Sequence, residues 1–402
     1  MSLLPNPQAA VIVREGDRDS DWDRADALLR RVFGDDWPEA AAFLEVGAPK
    51  RLLLAELDGQ LVGCVQARLR GLCLGSWTPP ASTFDALGVL PECRQLGVGE
   101  TLSSAIVRQG AADGSVFGLL RPGLGGGTNR YRRIGFELCG TWTERRVRPG
   151  SLRFPGAAAS NRLVRVLSHA DAEALARCYA EISLVHHGWM TRPPGFWTRL
   201  LDAASRQATI GTFDDLGALA GFATYAAGPR QAEEDCLTVS EIVWRQPADY
   251  FDLWRAIRQI AGDRDVTYTG GPTDLLFLAS AEQPQVQTEM HWMGRILDVS
   301  RAMEGRSFPV PLAGTVELDL RDDLIEANRG CWRLSLAGGS GSIRRGGAGE
   351  AKISIGHLSA LVFGYVTALE LRELGYLDAS PESVALLDAA FVAPRAWMSE
   401  IV

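Results

Sequence analysis

Short apolar runs alternate with stretches whose apolar residues fall at three- and four-residue spacing, the signatures of buried strands and one-sided helices. Ala10 to Arg14 reads as a strand. Trp22 to Phe33 predicts a helix, with Trp22, Ala25, Leu28, Leu29 and Val32 on one face. Glu39 to Val46 predicts a second, short helix. Arg51 to Leu57 and Leu61 to Leu69 flank Asp58-Gly59, a strong hairpin signal. Phe84 to Leu90 is an apolar strand ended by Pro91, which has no N–H for a ladder. Thr101 to Gln109 then predicts a helix and Val116 to Leu120 another strand, followed by a glycine-rich loop from Arg121 to Thr128.

Residues 149 to 161 are rich in Pro, Gly, Ala and Ser and read as a linker. After them the order of elements partly recurs. Leu163 to Leu167 is strand-like, and His169 to Leu184 and Pro194 to Ala203 are helical. Ala208 to Phe213 and Ala218 to Tyr225 form a hairpin, followed by a strand at Leu237 to Val243 and a helix at Tyr250 to Ala261. From about residue 291 the pattern changes. Strands are expected at Arg295 to Val299, Thr315 to Leu320 and Cys331 to Leu336, with a loop over Gly338 to Gly349. Ser300 to Gly305, Ile355 to Gly364, Val366 to Gly375 and Pro381 to Phe391 read as helices. The expected architecture is two α/β domains, 1–150 and 151–290, followed by an α+β domain, 291–402.

The chain has 402 residues, too many for one ordinary core, which agrees with that division. Its formal net charge of −8 argues against nucleic acid as a partner and tolerates cationic substrates. No run approaches the roughly 20 apolar residues of a membrane span. The first residues lack a signal-peptide pattern, and seven scattered cysteines without a Cys-x-x-Cys pair suit reduced, buried thiols in the cytoplasm. The five histidines show no metal spacing, and the adjacent His186 and His187 read as surface residues.

Candidate chemistry concentrates between Phe84 and Leu102. Arg94, Gln95, Leu96, Gly97, Val98 and Gly99 lead from a strand directly into a helix. A helix N-terminus offers free backbone N–H groups and a positive dipole end to an anion, and glycines allow close backbone approach. Arg/Gln-x-x-Gly-x-Gly in this setting resembles the pyrophosphate loop of the GNAT acetyltransferase superfamily, which binds acetyl-coenzyme A. Tyr131-Arg-Arg-Ile-Gly-Phe136 resembles the aromatic-x-x-x-Gly-Phe segment that closes the same domain. Two GNAT-like halves followed by an α+β domain resemble the enhanced intracellular survival (Eis) family, whose third domain looks like a sterol carrier protein fold. The stretches Arg295 to Glu304 and Leu387 to Phe391 narrow the match to that family. One departure is Arg133-Ile-Gly-Phe-Glu137, where the family often has Arg-Phe-Gly-Tyr-Gly.

The resemblance implies an acetyl-coenzyme A-dependent N-acetyltransferase acting on a primary amine, aminoglycoside-like or lysine-like, and working as a homo-hexamer without a metal. It implies that Leu87 and Val89 pair their backbones with the pantetheine arm, and that residues 94 to 99 hold the pyrophosphate. It implies Tyr131 as the acid that protonates the leaving thiolate, and the terminal carboxylate of Val402 as the base. Asp35, Asp36 and Trp37 suit a cationic acceptor, and Glu400 is placed with them as a substrate contact. In the second half Trp244-Arg-Gln-Pro-Ala-Asp249 stands where the glycine loop belongs, so that half is expected to bind no coenzyme. Two other readings remain open: a tandem acetyltransferase for one defined small metabolite, and a non-catalytic lipid or ligand carrier using the third domain.

Overall fold

The structure, a computed structural model, describes residues 10–17, 20–34, 50–123, 127–154, 162–202, 207–227 and 236–400. The first half contains β1 (Ile12–Glu15), α1 (Trp22–Phe33), β2 (Lys50–Leu57), β3 (Gln60–Leu74), β4 (Pro80–Val89), α2 (Val98–Ala112), β5 (Phe117–Leu120), α3 (Gly127–Arg133) and β6 (Glu137–Val147). The hairpin at Asp58-Gly59 forms because both residues take left-handed φ, 51° and 74°, the twist a two-residue turn requires. α1 turns Ala25, Leu28 and Leu29 inward, as its spacing predicts.

The second half contains β7 (Val164–Val166), α4 (Ala172–Ser183), β8 (His187–Met190), α5 (Pro194–Leu200), β9 (Ala208–Phe213), β10 (Leu219–Ala227), β11 (Leu237–Trp244), α6 (Pro247–Ala261), β12 (Val266–Thr269), α7 (Leu276–Ala279) and β13 (Gln285–Ile296). Among the described residues the two halves share one 13-stranded sheet, in the order β1-β2-β3-β4-β5-β13-β6-β12-β11-β10-β9-β7, with β8 added to β3. The halves meet where β6 pairs antiparallel with β12, Val147 opposite Val266.

One strand departs from the expected division. Arg295 and Ile296 do not open the third domain. They end β13, which runs across residue 290 and lies between β5 and β6 of the first half, Met293 opposite both Leu120 and Leu138. The apolar run marks a strand there, but its partners are set by two edges left open far away in the chain.

The last part contains α8 (Val299–Glu304), β14 (Gly314–Arg321), β15 (Gly330–Ala337), β16 (Ser340–Arg345), β17 (Ala351–Ser354), α9 (Ile355–Val362), α10 (Ala368–Glu373), β18 (Leu377–Asp378) and α11 (Pro381–Ala390). The Gly338–Gly349 loop expectation fails here, because Ser340–Arg345 is an edge strand on β15. Only Ile343 of that strand is buried, so it carries too little apolar signal to read as one. The five-stranded sheet shares a core with the first half, with Phe363 of the turn after α9 edge-on to Phe117 of β5 at 5.2 Å. Arg295, fully buried, ties the same two regions together. It donates to both carboxylate oxygens of Asp322 at 2.6 and 2.7 Å and to the Ile134 carbonyl. Gly135, at φ +84°, leaves the room its guanidinium needs.

Candidate active site

The site begins where two strands part. β4 pairs in parallel with β5 only at Ala81, Ser82 and Thr83, opposite Phe117, Gly118 and Leu119. Beyond Thr83 the strands diverge while β4 continues along β3 to Val89. A bulge forms where Ala86 takes φ +52° and the register with β3 slips between Cys64 and Gln66. Leu90 donates its N–H to Val62 of β3. By strand alternation Val89 aims its N–H the other way, toward the gap that β5 has left. Leu87, two residues earlier, stands on the same side. The open edge is thus a template for one more extended chain.

Past the edge, Pro91–Cys93 form a single turn, and Gln95 and Gly97 take φ of 72° and 78° before α2 starts at Val98. Among the described residues no side chain caps this helix at Gly97, which leaves its first N–H groups for an anion. The two glycines serve different ends. A Cβ at Gly97 meets nothing within 4 Å, so that glycine is needed for its left-handed backbone. A Cβ at Gly99 comes within 3.3 Å of Arg130 Nη1, so that glycine keeps an arginine close to the helix end. Arg94 and Gln95 are exposed beside it, while Leu96 is half-buried and Val98 is buried. Arg130 escaped sequence reading because nothing local distinguishes it from its neighbours Arg132 and Arg133.

Tyr131 sits in α3, half-buried, with its ring edge-on to Phe136 at 6.1 Å. Phe136 in turn lies edge-on to Phe84 at 6.0 Å, the residue of β4 just past the parting point. Two aromatic contacts therefore place the phenol beside the splay. Burial raises its pKa above the ordinary tyrosine value, so it holds its proton at neutral pH and can give it to a thiolate.

The far side of the splay is a polar stripe. Gln66, Arg68 and Arg70 alternate along one face of β3. Arg68 pairs with Asp85 of β4 at 2.7 Å. Both polar atoms of the Gln66 side chain are buried without a partner, and Gln66 lies opposite Asp85. The chain end reaches this stripe. Thr141 of β6 and His187 of β8 hold the tail by backbone hydrogen bonds, 3.0 Å from Met398 N to the Thr141 carbonyl and 3.0 Å from Trp397 N to the His187 carbonyl. Ser399 donates to Glu241 at 2.9 Å, and Glu241 pairs with Arg192 at 2.6 Å. Glu400 pairs with Arg70 at 2.7 Å. Burial alone would raise the Glu400 carboxyl, but Arg70, Arg192 and Arg68 together hold it below the usual carboxylate range.

This placement revises Glu400 as a free contact for a cationic acceptor, since its carboxylate is already bound to an arginine. Asp35, Asp36, Trp37 and Val402 lie outside the described residues. The stripe itself was not foreseen. Asp85 and Arg68 are far apart in sequence, and each alone reads as an ordinary charged residue in a strand. His186 and His187 also depart from expectation. They are half-buried, and burial pushes both imidazoles down to about 4. Among the described residues no group of three His, Cys, Asp or Glu could hold a metal, and no helix is long and apolar enough to cross a membrane.

Comparison with known families settles what this geometry belongs to. Residues 21–122 match the model of the acetyltransferase (GNAT) family, and residues 188–296 match that of a second acetyltransferase (GNAT) domain. Residues 299–399 match the sterol carrier protein domain. The chain carries two GNAT acetyltransferase domains.

Its tandem GNAT domains are followed by a sterol carrier domain, and GNAT domains use acetyl-coenzyme A. Solved structures share the whole fold. A GCN5-related N-acetyltransferase from Anabaena variabilis is 19% identical at TM-score 0.87, covering 98% of this chain and 100% of that one. One from Kribbella flavida is 22% identical at TM-score 0.82, covering 98% and 99%. Eis1 from Mycobacterium abscessus is 19% identical at TM-score 0.80, covering 98% and 100%. No curated protein sequence matches the chain.

In the second GNAT domain the matching helix start is occupied by its own side chains. At the start of α6 the Asp249 carboxylate accepts the Gln246 N–H at 3.0 Å and pairs with Arg162. Pro247 stands at the first helical position, where an N–H would otherwise face a phosphate.

Proposed function

We propose that the first GNAT domain binds acetyl-coenzyme A along the open edge of β4 and transfers its acetyl group to a primary amine. The observation that carries this is the combination of a β4 edge abandoned by β5 with an uncapped α2 N-terminus at its end. The backbones of Leu87 and Val89 take the pantetheine arm. The N–H groups of residues 97 to 99 take the pyrophosphate, with Arg130 and Arg94 beside them. The amine nitrogen attacks the thioester carbonyl, a C–N bond forms, and the C–S bond breaks as Tyr131 protonates the sulfur. The proton lost from the amine goes to the terminal carboxylate of Val402. The course of the tail supports this last role, since Glu400 is already held on β3 by Arg70.

On its resemblance to the Eis family, we extend the reading to an acceptor of aminoglycoside-like or lysine-like type and a homo-hexamer in the cytoplasm. One observation favours a narrower acceptor. Asp85, Glu241 and Glu400 are each paired with an arginine, so these three leave no free anionic lining for a polycation. A thiol-release assay with acetyl-coenzyme A against a panel of amines separates the two. Turnover of many polyamines supports the broad reading, and turnover of one small amine supports the narrow one. Appending residues after Val402 tests the base. Full turnover in the extended enzyme excludes the terminal carboxylate.

A further inference from the structure

The second GNAT domain repeats the splay without the coenzyme loop. β11 pairs with β12 only from Leu237 to Val239, opposite Val266 to Tyr268, and the strands then part. A cavity of about 240 Å³ stands in the gap. That is room for a small ligand such as a single substituted ring. The tail closes one side. The Cβ position of Gly271 lies 2.8 Å from the Trp397 indole, so a side chain there would displace it.

The walls are aromatic. Trp244 and Tyr250 lie 4.6 Å apart, and His186 stands 6.1 Å from Trp244 and 6.0 Å from Trp397. Among the described residues three polar atoms of the lining are unspent, the Tyr268 hydroxyl being one. Thr269 is 5% exposed, and its hydroxyl is buried without a partner, as is Nδ1 of His187. A buried hydroxyl without a partner is costly, so such atoms mark a place for a ligand's polar atom.

Charge selects the class of ligand. The one carboxylate of the lining, Asp274, already accepts the Tyr250 hydroxyl and the Leu276 N–H. Arg395 is exposed at the rim. Arg145 is 4% exposed with Nε and Nη1 unpartnered, and its Nη1 lies 2.8 Å from the Cβ position of Gly270 in the cavity floor. Two guanidiniums against one engaged carboxylate favour an anion and oppose an ammonium group.

We propose that this vacated splay is a binding site for a small aromatic carboxylate bearing a ring hydroxyl. The ring lies between Trp244 and Trp397, the carboxylate meets Arg395, and the hydroxyl reaches Thr269 and His187. Nothing in the site overlaps the β4 edge or the residues proposed for acetyl transfer.

Titration calorimetry of the full chain, saturated with coenzyme A, tests this with 4-hydroxybenzoate, benzoate and tyramine. 4-Hydroxybenzoate is expected to bind once per chain, benzoate roughly tenfold more weakly, and tyramine not at all. Arg395→Met should weaken 4-hydroxybenzoate roughly tenfold or more, and Thr269→Val should remove its advantage over benzoate, both with unchanged affinity for coenzyme A. The absence of binding by either carboxylate would overturn the proposal. So would tighter binding of tyramine, competition with coenzyme A, or full affinity in both variants.

Discussion

Gly99→Asp should separate coenzyme binding from folding. Gly99 is the second residue of α2, and a Cβ there meets Arg130 Nη1 at 3.3 Å and Val89 Cγ2 at 3.7 Å. The arginine end is flexible, so the helix accepts the side chain with a small shift. A carboxylate in the first turn also complements the helix dipole, worth about 0.3–1 kcal/mol. A bound pyrophosphate meets the opposite sign. Like charges about 4 Å apart repel by about 1 kcal/mol in bulk water and about 4 kcal/mol at the effective dielectric of a protein surface. At about 1.4 kcal/mol per decade, coenzyme A affinity should fall by roughly fivefold to several hundredfold. The new carboxylate also draws Arg130 away from the phosphates. Titration calorimetry with coenzyme A reads the first effect and a thermal melt the second, with the melting temperature expected to hold or rise. Unchanged affinity in a protein that melts normally would refute the placement of the pyrophosphate at this helix end.

Tyr131→Phe keeps the contact with Phe136 and removes the proton, so kcat should fall by roughly 10²-fold with an unchanged melt; a lowered melt with full kcat would make the tyrosine a packing residue. Gly97→Val forces a β-branched residue to φ +78°, so its melting temperature should drop even though no atom lies within 4 Å, and an unchanged melt would show that the turn relaxes freely. The Glu400 carboxyl is held below its unfolded value, so the stability it contributes is present above about pH 4.3 and is lost as pH falls through its folded pKa. Glu400→Gln should therefore flatten the acid limb of the stability profile, and an acid limb identical to that of the parent would count against the Arg70 pair. Titration with coenzyme A should give one site per chain, and two equivalent sites would show that α6 still receives a pyrophosphate.

The sequence by itself determined what is local. The Asp58-Gly59 turn, the apolar face of α1 and the glycine loop before α2 each depend on a few adjacent residues, and backbone sterics force the same result wherever they occur. The loss of the glycine pair at Trp244–Asp249 was readable for the same reason. Tertiary structure decided everything that depends on two distant segments meeting. β13 reads as a strand, but only the open edges of β5 and β6 tell where it goes. Ser340–Arg345 becomes a strand because β15 offers it a ladder, against its own polar composition. Asp85 and Arg68, Glu400 and Arg70, and Glu241 and Arg192 are unremarkable charges until the sheet and the tail bring each pair within hydrogen-bonding distance. His186 looks like a surface residue, yet Trp189, Trp244 and Trp397 close around it, and burial lowers its pKa as it does that of His187. Propensity and turn geometry act over a few residues of chain, whereas ion pairing and desolvation act through space, and one sequence read along its length carries only the first.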